Sequence, residues 1–314
     1  GSGVLVAMEE VVSADFLADQ AANSVGPSYE SYRYGDRQWA LPIDAATPVA
    51  SWRPDLLEQA AAAVPGTWEE LLALARRGLV VMPGIAQDTI MNFYMFCELP
   101  GSDLFASDEI VVSDEIGVAA LERMRELSSL MPRRIFDWNP IAVYEAMTRG
   151  DDYAYCPWAY GYSNYAREGY ARSVLHFGDV VSLDGVPLRT TLGGTGLAVS
   201  SGCRHLDIVG QYAELVAGAE YQRTQYVENG GQPGHRAAWT DAENDRRTHG
   251  YFGSTLPCLE RAYLRPRYPG SLAFQDRDGG GVPIREYMMD GGDPRAVMET
   301  LNRMYRDTKQ GSGE

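Results

Sequence analysis

The sequence predicts an α/β protein that finishes in a run of helices. Three observations carry this. With 45% hydrophobic and 22% charged residues in 314, the chain has apolar material for real cores, and its length suggests roughly two domains at about 150 residues each. Strand-like and helix-like segments alternate over the first two thirds, and the last third reads as helical throughout. No internal repeat is evident.

The elements follow in order. Met8 to Ser24 spaces Val11, Val12, Phe16, Leu17 and Ala21 as a short helix ending before Gly26-Pro27. Tyr32 to Tyr34, a Gly35-Asp36 turn and Gln38 to Pro42 read as a hairpin. Thr47 to Trp52 continues extended and stops at Arg53-Pro54, where proline disfavours helix in the residue before it. Thr67-Trp68-Glu69-Glu70 is a capping box that opens a helix running to a terminal Gly78. A buried strand at Leu79 to Met82 and a helix at Gln87 to Leu99 come next. Helices are expected at Asp114 to Met131 and Ile141 to Arg149, and strands at Tyr153 to Tyr160, Val174 to Phe177 and Thr195 to Ser200. Further helices are expected at His205 to Ala217, Glu220 to Glu228, Tyr251 to Ala262, Leu272 to Met289 with a break near Gly279 to Gly281, and Pro294 to Asp307.

Charge and composition exclude several classes of function. A formal charge of −16 gives the chain a field of the wrong sign for nucleic acid or an anionic membrane. No apolar run reaches the length of about 18 residues that a membrane span needs. Cys97, Cys156, Cys203 and Cys258 are widely spaced and form no zinc or redox motif; their even count permits disulfides in an oxidising compartment without saying which pair, and buried free thiols suit most of them better. The four histidines are scattered and no H-E-x-x-H occurs, so no metal and no cofactor is expected. There is no G-x-S-x-G, and the glycines of Gly193-Gly194-Thr195-Gly196 precede a strand rather than open a helix, which argues against a dinucleotide site. The opening stretch from Gly1 has no basic segment and meets Glu9 early, so it does not read as a signal peptide.

The positive signals are aromatic and polar clusters at element ends, in a chain with 19 Tyr and 6 Trp against 8 Phe. Tyr and Trp in surplus suit surfaces that are flat, apolar and able to hydrogen-bond. The clusters are Trp39 to Asp44 with Trp52-Arg53-Pro54-Asp55-Leu56-Leu57 beyond it, Cys156-Pro157-Trp158-Ala159-Tyr160-Gly161-Tyr162 at a strand's end, and Leu192 to Ser200 followed by Asp207 to Ala217 and Gly230 to Arg236, with Pro65-Gly66-Thr67-Trp68-Glu69-Glu70-Leu71 as a further marker between the first two. In that order they resemble the extracellular solute-binding proteins of ABC importers, in the branch that includes maltose-binding proteins. The resemblance runs from about Tyr32 to about Trp239.

The resemblance implies a two-lobe periplasmic-binding-protein-like fold (type II) that closes by a hinge on a ligand held between its lobes. The family's opening strand, helix and second strand have no match here, so the N-lobe is expected to be incomplete. On this reading residues 1–50 belong to the N-lobe and the first crossing segment, 51–240 mainly to the C-lobe, and 241–314 to a helical C-terminal region. The expected ligand is a sugar or similar polar solute, the expected partner a membrane permease, the location periplasmic or extracellular, and the state monomeric. The alternatives are a carbohydrate-active enzyme using Asp44 with a second acid, or a truncated relative that binds nothing.

A sugar offers apolar faces and a rim of hydroxyls, so its site wants aromatic plates with a few fixed donors and acceptors. Trp158 matches a family position that stacks on a sugar ring, with Trp39 or Tyr160 assisting. Asp44 would accept hydroxyl protons, and Gly193 and Gly194 would let backbone N–H groups approach the ligand. Asp88, Asn92, Gln232 and Arg236 complete the expected ligand-binding set. Each has a structural use as well: core aromatic for Trp158, helix or turn cap for Asp44, loop structure for Gln232 and Arg236.

Overall fold

The structure is a computed structural model that describes residues 3–98, 102 and 104–310. The chain forms two compact units. The first contains the described residues up to Thr47, then Tyr160–Tyr170 and Leu192–Leu264; the second contains Pro48–Ala159, Ala171–Thr191 and the chain from Arg265. The expected division at 50 and 240 is therefore corrected, since residues 160–170 and 192–240 fold with the first unit. A long-range strand pairing within that unit is the reason.

In the first unit Leu41–Ala46 pairs antiparallel with Gly193–Leu197, placing Asp44 opposite Thr195, and the register slips between Thr195 and Gly196. Beyond that bulge the ladder continues with Gly196 opposite Pro42 and Leu197 opposite Leu41, and it stops at Leu197. The expected strand Thr195 to Ser200 is thus two pieces, and Val199–Ser200 pairs instead with Leu5–Val6. Leu41 and Val199 join Met8, Val12, Ala213 and Ala217 in a buried apolar cluster, so the helix Leu206–Ala217 lies on it with its small residues inward.

The single helix expected over Met8 to Ser24 also divides. Ser13 is extended (φ −67°, ψ 151°), its hydroxyl accepts the Phe16 N–H, and helix Ala14–Asn23 begins there. The Glu214 carboxylate accepts the Ser13 N–H at 2.9 Å, which fixes the break. The hairpin is present but short, Arg33–Tyr34 against Arg37–Gln38. Gly35 and Asp36 both have left-handed φ, 57° and 61°, as a two-residue turn matched to strand twist requires.

The second unit is built on a three-stranded sheet in the order Tyr155–Tyr160, Pro48–Trp52, His176–Gly178. Leu79 to Met82 adds only a bridge from Val80 to Tyr155. The capping box at Thr67 is formed: the Thr67 hydroxyl accepts the Glu70 N–H at 3.3 Å and Glu70 accepts the Thr67 N–H at 3.2 Å. Helix Ala86–Cys97 is buried at every residue from Asp88 onward, because helices Asp114–Ser128 and Gly281–Asp290 pack on it. Gly281 permits that approach, since a Cβ there would run into the Ala86 carbonyl. The expected end of this helix at Leu99 lies outside the described residues. Arg53, only 3% exposed, donates to Asp55 and to the Met147 and Gly150 carbonyls. It thereby ties the end of the central strand to the end of helix Pro140–Arg149.

Among the described residues all four cysteines are free thiols, and no helix is long and apolar enough to cross a membrane.

Candidate functional site

A cavity of about 540 Å³ lies wholly within the first unit. Asp44, Ala46, Gly194 and Thr195 line it from the paired strands, Tyr160 to Tyr162 and Asn164 from one loop, and Tyr226, Gly230 and Gln232 from another segment. Alternation along Leu41–Ala46 explains the first group: Ala45 points into the core and is fully buried, so Asp44 and Ala46 point the other way.

Gln232 locks the floor. Its backbone N–H donates to the Asp44 carboxylate at 3.2 Å and its carbonyl accepts the Ala45 N–H at 2.8 Å. Its side-chain oxygen accepts the Ser163 N–H at 2.8 Å, which holds the Tyr160 to Asn164 loop in place. Gly194 has φ +127°, and a Cβ there would strike the Asp44 carbonyl, so the strands can meet at this point only through glycine.

The expected helix Glu220 to Glu228 contains a π-helical turn over Gln222–Tyr226. Such wide turns are rare and recur at functional sites. Its anchor is the fully buried Gln222, whose amide donates to the Ile43 and Val216 carbonyls and accepts the Gly234 N–H at 2.8 Å. The turn brings the Tyr226 hydroxyl to the Asp44 carboxylate, to which it hydrogen-bonds.

Burial pushes Asp44 up to about 6, against the lowering effect of the Gln232 N–H and the Tyr226 hydroxyl. Burial, and then the Asp44 charge, raise Tyr226 well above the usual tyrosine range. The cavity thus offers one strong acceptor, three tyrosine rings and a rim of amide and hydroxyl groups. Two further hollows occur in the second unit, one of about 580 Å³ between Pro283 and Thr300 and one of about 230 Å³ between Ala62 and Arg77. Neither contains any of the ten expected site residues.

Of the ten expected site residues, Asp44, Tyr160, Gly194 and Gln232 meet at this cavity. Gly193 supports it from behind, since a Cβ there would press on the Tyr160 ring. The others are placed elsewhere. Trp158, expected as the stacking plate, is 1% exposed inside the second unit. Its indole is stacked near Trp68 (6.4 Å between centroids, 7° between planes) and edge-on to Phe96 at 5.4 Å. It offers no free face, and this expectation is corrected: Trp158 is a core aromatic.

Trp39 is half-buried at the base of the hairpin, where Nε1 donates to the Tyr34 carbonyl and the Arg37 guanidinium lies 5.6 Å from the ring centre. Arg236 opens the helix Arg236–Trp239 and pairs with Glu260 at 2.8 Å. Neither lines the cavity.

Asp88 and Asn92 lie one turn apart on the buried helix of the second unit, 8% and 3% exposed. Asp88 Oδ2 and Asn92 Nδ2 find no hydrogen-bond partner among the described residues, nor does Trp158 Nε1. Burial alone pushes Asp88 up to about 7.

Sequence reasoning missed Tyr162, Asn164, Thr195 and Tyr226. The tyrosine surplus was the available signal, but nothing local marks Tyr226 as facing Asp44. Among the described residues no group of three acidic, histidine or cysteine side chains could hold a metal.

No family model matches the chain, and no curated protein sequence matches it. Solved structures do. Maltose-bound MalE3 of T. maritima superposes with a TM-score of 0.80 at 16% identity, covering 97% of this chain and 80% of that one. An ABC transporter solute-binding protein of Agrobacterium radiobacter in complex with ribitol gives 0.78 at 18% identity, covering 97% and 80%. The maltose-binding periplasmic protein MalE of Listeria monocytogenes gives 0.74 at 14% identity, covering 99% and 81%. The chain therefore has the α/β periplasmic-binding-protein fold of these proteins.

Proposed function

We propose that the chain is a binding protein rather than an enzyme, and that it captures a sugar or similar polar solute for an ABC importer. The cavity of the first unit is the proposed site, with Asp44, Tyr160, Tyr162, Asn164, Thr195, Tyr226 and Gln232 as contacts and Gly194 allowing backbone approach. Convergence is the observation that carries this reading. Four residues chosen from sequence clusters far apart in the chain line one cavity whose chemistry suits a solute with apolar faces and hydroxyl edges. Asp88 and Asn92 lie buried in the second unit and are outside the proposed site.

The fold supports the reading, since the superposed structures are solute-binding proteins holding maltose or ribitol. Delivery to a permease and a periplasmic or extracellular location belong to the same proposal. Capture at about micromolar strength corresponds to roughly −8 kcal/mol.

Thermal unfolding against maltose, ribitol and a set of mono- and disaccharides tests it. A solute at 100 times its dissociation constant should add about 2.7 kcal/mol of stability, and Tyr160→Ala should weaken its affinity more than tenfold. A panel in which no member raises the melting temperature rejects the reading.

A further inference from the structure

We infer that the solute held in the first unit's cavity carries a positively charged amine, set against the Asp44 carboxylate and among the rings of Tyr160, Tyr162 and Tyr226. This rests on the reading of that cavity as the solute site.

Charge matching at Asp44 favours a cation. Among the described residues lining the cavity, Asp44 is the one with a charge, and none is Arg, Lys or His. The groups that act on its carboxylate are a backbone N–H and a tyrosine hydroxyl, with no cation among them. Acids elsewhere in the same unit are treated differently: Asp241 meets Arg223 at 3.1 Å and Glu260 meets Arg236 at 2.8 Å. A carboxylate drawn out of water without a cation is costly, and burial raises Asp44 to about 6 in consequence. A ligand ammonium would supply the missing charge.

The cavity wall favours a cation as well. Tyrosine faces carry negative quadrupole charge, and several rings around a carboxylate favour an ammonium over a neutral hydroxyl. Asn164, Thr195 and Gln232 add neutral hydrogen-bonding groups beside it, so an amino sugar or aminocyclitol fits better than a bare alkylammonium. A uronate or other anionic sugar would face Asp44 without a compensating cation. The net charge of −16 adds long-range attraction for a cation.

Tyr160 and Tyr162 share the cavity with Asp44; the titratable groups its charge acts on are the hydroxyls of Tyr226 and Tyr251, both raised, by burial first and by the Asp44 charge second. Neither changes charge near pH 6. Amine binding requires both an ionised Asp44 and a protonated amine, so affinity should fall about tenfold per pH unit below pH 6 and fall again where the pH rises past the amine's own pKa.

Calorimetric titration of the full chain at pH 7.5 and low salt decides the matter. The probes are glucosamine, galactosamine and the glucosamine dimer, each beside its neutral counterpart: glucose, galactose and the N-acetylglucosamine dimer. At least one amine should bind ten or more times more tightly than its counterpart. Asp44→Asn should erase that preference, and acidification below pH 6 should erode it in the unaltered protein. Neutral sugars that bind as tightly as the amines, with the ratio unchanged in Asp44→Asn, overturn the inference while leaving the cavity a solute site. Silence from every probe, neutral and amine, counts against the cavity as a sugar site and takes the inference with it.

Discussion

Replacing Trp158 with alanine is expected to lower stability by about 3–5 kcal/mol, the usual cost of truncating a buried tryptophan, while leaving solute affinity nearly unchanged. The side chain is 1% exposed and packs with Trp68 and Phe96, which also meet each other edge-on at 5.5 Å. Trp68 is the first residue of the helix that the Thr67 capping box starts, so the hole would open beneath that helix. Urea unfolding reads the loss, and Trp158→Phe, which keeps part of the volume, should lose less. The Tyr160→Ala variant should show the opposite pattern, with affinity lost and stability largely kept. An affinity collapse in Trp158→Ala at unchanged stability would return the indole to the binding site.

Asp88→Asn is expected to stabilise the protein at pH 8 by up to about 4 kcal/mol and to leave it unchanged at pH 4. In the folded state burial raises this carboxyl from 3.8 to about 7, a shift in which each pH unit is worth about 1.4 kcal/mol. A carboxyl raised on folding favours the protonated folded state. Its contribution is therefore full below about pH 4 and is lost as pH rises through about 7. Asp44 acts in the same direction over a shorter range that ends near pH 6. Unfolding free energy measured against pH should fall across this window in the unaltered protein and flatten in Asp88→Asn. Equal slopes in both would show that Asp88 has an ionic partner or open access to water.

What the sequence discloses and what it hides follow from the range of the interactions involved. The Thr67 cap, the Gly35-Asp36 turn and the helix Asp114–Ser128 depend on residues a few positions apart, and all are legible. The pairing of Leu41–Ala46 with Gly193–Leu197 joins segments about 150 positions apart and is fixed by register and by glycine at 194, which local patterns do not encode. That pairing also decides which residues belong to which unit, so the expected domain limits miss it.

The site divides along the same line. Asp44 and Gln232 stand out because each sits in a short polar cluster next to a strand or turn. Tyr226 does not, because its position comes from a π-helical turn anchored by Gln222 on the Ile43, Val216 and Gly234 backbone. Trp158 and Tyr160 share one strand, Tyr155–Tyr160, and alternation gives them the same face. Trp158 is covered by the helix residue Phe96 and by Trp68, whereas Tyr160, at the strand's last position, reaches the cavity. No periodicity distinguishes the two.

The most direct test is a structure of the protein with the tightest-binding member of the solute panel. The solute should lie in the first unit's cavity, within hydrogen-bond reach of the Asp44 carboxylate and against the Tyr160 ring. A solute seated on an uncovered Trp158 face, touching neither Asp44 nor Tyr160, would contradict the assignment.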